Sequence, residues 1–131
     1  MTTYTIHPLA VGINETDQGV MTYLRDYGKR ILLPIYVFYL EGGDRTILVD
    51  TGLDEFVVPP GAEEACGFPI LDFEAALATV GKRPEDVDLI IHTHLHNDHC
   101  EPTSPSSRSR RTRCAVLLSV TSTRLKFRAK R

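Results

Sequence analysis

A chain of 131 residues with 42% apolar and 24% charged side chains has the make-up of one globular domain, not of a disordered or membrane-embedded polypeptide. Its net charge of −2 hides a split: residues 1–100 hold 6 Lys and Arg against 16 Asp and Glu, and residues 101–131 hold 9 against one acid, Glu101. No apolar run approaches the length of a membrane span, and the N-terminus, Met1-Thr2-Thr3-Tyr4-Thr5-Ile6, lacks a basic start and an apolar signal core. We therefore expect a cytoplasmic protein without a membrane partner. Cys66, Cys100 and Cys114 show no paired metal spacing and cannot all be bridged internally, so we read them as free thiols.

Residues 4–11 alternate roughly and predict an opening strand, with Pro8 placing it at a sheet edge or bulge. His7 is a lone histidine there and reads as structural. Residues 12–30 mix Gly, Asn, Asp and Lys with Met21, Tyr23, Leu24 and Tyr27. They predict a loop whose few apolar side chains either tuck against the core or line a substrate pocket. Residues 31–40 are rich in Ile, Leu, Val, Tyr and Phe and predict a strand. Glu41-Gly42-Gly43-Asp44 has hairpin chemistry, and residues 45–49 return as the partner strand.

That strand ends in Asp50-Thr51-Gly52. Taken alone, Asp50 reads as an Asx-turn at a strand end. Residues 53–71 hold Pro59, Pro60, Gly61, Gly67 and Pro69 and predict a long loop. Asp72 reads as the N-cap of a helix over 73–80, with Gly81 as its stop. Phe73, Ala76, Leu77 and Val80 share one face of that helix and predict a core stripe. Residues 82–86 turn the chain back into an apolar run, 87–91, that reads as a buried strand.

Directly after it stands His92-Thr93-His94-Leu95-His96-Asn97-Asp98-His99, with four imidazoles and one carboxylate in eight positions. These groups are the ligands that borderline divalent metals prefer. At a strand end, residues two apart point to the same side. His94 and His96 can therefore reach one ion, and a turn into helix swings Asp98 and His99 toward a second. The plain alternative is a His-rich surface loop; the strand before the motif and its spacing argue against it. His92 shares the parity of His94 and His96, yet reads as a strand-end residue supporting the site.

The His-x-His-x-Asp-His stretch resembles the signature of the metallo-β-lactamase-fold hydrolases. Val49-Asp50-Thr51-Gly52, residues 33–40 and residues 80–91 narrow the resemblance to N-acyl homoserine lactonases and their relatives, over residues 1–100. The resemblance implies an α+β fold, namely the N-terminal half of a four-layer αββα sandwich. It implies metal ligation by His94 and His96 at one site and by Asp98 and His99 at another. Asp98 would also orient the nucleophile or shuttle its proton, and Asp50 would brace the ligands from a buried position. The cofactor implied is a pair of zinc ions, with manganese or iron as alternatives. The substrate implied is a small-molecule ester or lactone, such as an N-acyl homoserine lactone. Thioesterases and glyoxalase II-like enzymes share the motif and form the alternative reading, as does a non-catalytic metal-binding fragment. Cys100, beside the motif, is a weaker candidate for a thiol ligand.

Members of this fold need further ligands, yet no His follows His99 and no Asp follows Asp98. The last 31 residues hold ten Ser or Thr, seven Arg and no Gly. We therefore expect residues 1–101 to form a partial, truncated metallo-β-lactamase-like domain and residues 102–131 to be a basic Ser/Arg-rich tail, non-native through a frame shift near Glu101. Nucleic acid is disfavoured as a partner of that tail, since it lacks interleaved aromatics apart from Phe127.

Overall fold

Two long strands, β1 (Thr5–Asp17) and β2 (Arg30–Glu41), pair antiparallel and dominate the sheet. The computed structural model describes residues 3–53, 56–101 and, by backbone alone, 113–116. Strand β3 (Ile47–Val49) runs antiparallel to β2, β4 (Leu89–His92) parallel to β3, and β5 (Arg113–Val116) parallel to β4. The sheet order is β1-β2-β3-β4-β5. Four short helices connect or follow the strands: α1 (Gln18–Met21), α2 (Ala62–Cys66), α3 (Phe73–Ala78) and α4 (Asn97–Cys100). The architecture is α+β with one mixed sheet, and it resembles part of an αββα sandwich. No described helix is long and apolar enough to cross a membrane.

The core lies on one face of the sheet. Leu9 and Val11 of β1, Ile35, Val37 and Tyr39 of β2, Leu48 of β3 and Ile90 of β4 bury their side chains there. Helix α3 covers them with Ala76 and Leu77, flanked by half-buried Phe73 and Val80, which is the stripe its 3.6-residue period predicts. Asp72 caps that helix by accepting from the Ala75 amide at 2.8 Å. Gly81 follows with φ +68°, a left-handed position that stops the run. A short 3₁₀ turn, Pro84–Asp86, then leads into β4. There the Arg83 guanidinium and backbone N–H both donate to Asp86, holding its carboxyl below the usual carboxylate range.

The opening strand is longer than its sequence suggests. Past a register shift between Ala10 and Gly12, β1 continues to Asp17 against residues 30–34 of β2. Gly12, Asn14 and Asp17 are poor strand formers, but pairing with the apolar β2 overrides their local preference. Ile13 is buried there, and Glu15 pairs with Arg30 at 2.9 Å across the strands. Pro8 lies on β1, at one end of the sheet order, as a strand proline should.

The loop that joins β1 to β2 does not tuck against the core. Tyr23 is 87% exposed, and Met21, Leu24 and Tyr27 also lie open to solvent. Asp17 holds this loop out by accepting from the amides of Gly19 and Gly28, both at 2.7 Å. Tyr23, Leu24 and Asp26 take left-handed backbone angles within it. A compact turn fixed by its own hydrogen bonds leaves these side chains no route to the sheet.

Residues 113–116, inside the segment read as a basic tail, run as strand β5 beside β4. The open edge of β4 accepts four further residues in parallel register, from Leu89↔Arg113 to His92↔Val116. Residues 102–112 and 117–131 lie outside those described, so the remainder of that expectation falls there.

Gly52 closes the turn after β3 with φ +80°, and a Cβ built on it would lie 2.8 Å from Val11 Cγ2. A Gly52→Ala variant therefore combines left-handed strain with a core clash. Its expected cost is about 1–3 kcal/mol, read as a lower urea midpoint at unchanged m-value. An unchanged midpoint would show that the turn relaxes freely.

Candidate metal centre

The site is assembled where β3 and β4 end side by side. Parallel pairing of Val49 with Ile91 brings Asp50 level with the start of the histidine stretch, and the Asp50 amide donates to the Ile91 carbonyl at 2.9 Å. Past β4 the chain runs through Thr93, His94, Leu95 and His96 and then enters α4, with His96 at its N-cap position. Strand end followed at once by helix is the local geometry that the motif's spacing requires.

His94, His96 and Asp98 each offer one ligand atom, and these three atoms lie within 4.8 Å of one another. The His94 and His96 rings meet edge to face at 4.7 Å between centroids, and the His94 and His99 rings lie 4.0 Å apart. Donors on one tetrahedral zinc stand roughly 3.4 Å from each other at the usual bond lengths. Two imidazoles and a carboxylate form a donor set suited to a borderline divalent ion, so the residues fit the group.

His99 stands at the margin of this cluster. Its Nε2 is 3.5 Å from Asp98 Oδ2, and its Nδ1–H donates to Asp50 Oδ2 at 2.9 Å. A carboxylate only accepts, so this bond places a proton on Nδ1 and turns Nε2 toward Asp98 and the cluster. Asp50 is 2% exposed and also accepts from the Thr93 amide at 2.8 Å and the Thr93 hydroxyl at 2.8 Å. Asp50 has φ +63°, a left-handed angle that Asp tolerates better than most residues. Its role is more than an Asx-turn, because all three donors come from the histidine stretch.

Thr51 and His92 complete the frame. The Thr51 amide donates to the His99 carbonyl at 3.0 Å, and His92, 8% exposed, donates to the same carbonyl through Nδ1 at 3.1 Å. Both pin α4 to the strand ends. His92 is therefore a strand-end support, as its parity and place suggest. Cys66 and Cys100 are half-buried free thiols, and the Cys114 side chain lies outside the described residues. His7, in β1, donates through Nε2 to Glu41 Oε2 at 2.9 Å and stacks on Tyr39, away from the cluster.

A cleft of about 240 Å³ opens beside the cluster. Leu33, Tyr36 and Phe38 of β2 form its apolar wall, and Asp50, Asp98 and His99 its polar end. These β2 residues were not singled out as site residues in the sequence. The available signal was that β2 is apolar at both parities, so its second face had to meet something other than water.

The metallo-beta-lactamase superfamily pattern matches residues 30–100, from the start of β2 to the end of α4. A Bacillus cereus N-acyl homoserine lactonase is 35% identical over 82 residues, which is 55% of this chain and 33% of that protein. The crystal structure of a quorum-quenching N-acyl homoserine lactone lactonase aligns at 28% identity with a TM-score of 0.58, over 88% of this chain and 45% of the other. A mutant of B. thuringiensis AiiA with N-decanoyl-L-homoserine at its active site aligns at 25% identity with a TM-score of 0.60, over 88% and 48%. The chain thus spans about a third of the curated relative and under half of each of these two structures. The matched stretch covers more than half of the 131 residues and contains the whole cluster, so the chain belongs to the metallo-beta-lactamase superfamily.

Proposed function

We propose that this chain carries the first ligand motif of a metal-dependent hydrolase acting on an ester or lactone, with N-acyl homoserine lactones as the best-fitting class. The observation that carries the reading is the meeting of His94, His96 and Asp98, the last of which also lines an apolar-walled cleft together with His99. His94 and His96 would hold one zinc ion, and Asp98 and His99 would contribute to a second, with manganese or iron able to take related sites. A divalent metal at such a site supplies Lewis acidity and makes water nucleophilic at neutral pH. Asp98, half-buried and 3.5 Å from His99 Nε2, would take up or pass on a proton. Asp50 braces the ligands by fixing the ring of His99. Leu33, Tyr36 and Phe38 would receive the apolar part of the substrate, since an acyl chain gains from leaving water there. Support for the lactone class comes from the proteins it resembles, two of which are described as N-acyl homoserine lactonases.

Four candidate donors for two ions leave each ion short of protein ligands, and no His or Asp follows residue 99. We infer that the 131 residues by themselves bind metal and substrate but need donors from outside this stretch for efficient turnover. The test uses the cobalt-loaded chain. N-hexanoyl homoserine lactone should perturb its visible spectrum, an S-acyl thioester of equal length should not, and lactone opening should not exceed that by free cobalt. Perturbation by the thioester alone would favour the glyoxalase II-like alternative. Turnover that His96→Ala abolishes would overturn the incompleteness argument.

A further inference from the structure

We propose that Thr93 is a positioning residue for His94: its hydroxyl donates to Asp50, accepts from His94 Nδ1–H, and so leaves Nε2 as the metal-ready nitrogen of that ring. The inference rests on the metal reading above and adds a residue outside the His-x-His-x-Asp-His pattern. Three distances carry it. Thr93 Oγ1 lies 2.8 Å from Asp50 Oδ2, 3.1 Å from Asp50 Oδ1 and 3.0 Å from His94 Nδ1.

A hydroxyl has one hydrogen to give, and a carboxylate has none. Were the Thr93 hydrogen directed at His94 Nδ1, its oxygen would face both oxygens of the buried Asp50 carboxylate lone pair to lone pair, and the charge-assisted bond to that carboxylate would be lost. The arrangement in which every contact is a hydrogen bond is therefore single-valued. Thr93 donates to Asp50, and His94 carries its proton on Nδ1. The Thr93 amide, bonded to Asp50 Oδ1 at 2.8 Å, holds the hydroxyl in range.

The consequence is that one buried carboxylate sets two imidazoles. Asp50 fixes His99 directly and His94 through Thr93. The two rings belong to different proposed ion sites, so the Asp50–Thr93 pair orients both from a single point. Ordered tautomers matter because a metal takes only the unprotonated nitrogen.

The experiment uses the full 131-residue chain as wild type, Thr93→Val and Thr93→Ser. Zinc affinity is measured by competition with a chromophoric chelator. His94 tautomers are read in the metal-free wild type from long-range ¹H–¹⁵N spectra. The Nδ1–H form should dominate for His94 in the wild type. Thr93→Val, isosteric but without the hydroxyl, should weaken zinc binding by about 10–100-fold, and Thr93→Ser should restore it. A wild-type His94 protonated on Nε2 would overturn the proposal even if Thr93→Val failed to fold. So would equal zinc affinity in Thr93→Val and wild type. A wild type that binds no zinc would instead overturn the metal reading, while the tautomer spectrum would still decide the role of Thr93.

Discussion

Replacing Asp50 by Ala is expected to weaken zinc retention about 10–100-fold, the usual effect of losing a carboxylate that orients a ligating histidine. The structure gives the reason residue by residue. The Asp50 side chain is the acceptor for His99 Nδ1, Thr93 N and Thr93 Oγ1. Removing it frees the His99 ring to rotate and to exchange tautomers, and it removes the partner that directs the Thr93 hydroxyl. A stability loss accompanies this, because three part-buried hydrogen bonds that tie the histidine stretch to the end of β3 are lost. Ala at φ +63° adds strain that Asp bears more easily. Affinity and stability are separable by experiment. Zinc titration at low temperature, well below the thermal midpoint, reads the site; a denaturant curve without metal reads the fold. Lower stability with unchanged zinc affinity would leave Asp50 as a turn former only.

Much of the fold is legible from local rules. The α3 segment shows its cap at Asp72, its apolar stripe and its stop at Gly81, all within ten residues, so nothing distant is needed. Strand β2 reveals itself through a run rich in β-branched and aromatic residues. The extension of β1 to Asp17 is different in kind. Gly12 and Asn14 give no strand signal, and only the pairing with β2 across the sheet makes one. The loop after it misleads for a similar reason: Tyr23 and Leu24 look like core residues, yet Asp17 bonds at both ends of the loop keep them outside. Strand β5 depends on the free edge of β4, which no composition of residues 113–116 announces.

The site divides along the same line. His94, His96, Asp98 and His99 stand together in the sequence because a strand end followed by a helix presents closely spaced side chains to one place. Asp50 lies far upstream, and only the match to a known pattern connects it to them before the strands are placed. Thr93 carries no such mark. Its part depends on where an oxygen of Asp50 lies relative to its own, a matter of tenths of an ångström that parallel pairing of β3 and β4 decides.

The largest effect is expected from removing both histidines of the first site. A His94→Ala/His96→Ala variant loses two of the three donors that converge within 4.8 Å and keeps only Asp98 and the neighbouring His99. One carboxylate and one imidazole hold zinc far less well against dialysis than two imidazoles and a carboxylate, the usual protein donor set of an open site. Neither histidine is buried, so the fold should survive and the loss should be confined to metal. The decisive measurement is zinc content by elemental analysis after exhaustive dialysis of wild type and this double variant side by side. The account predicts zinc retained by the wild type and stripped from the variant. Equal stoichiometry in the two would contradict it.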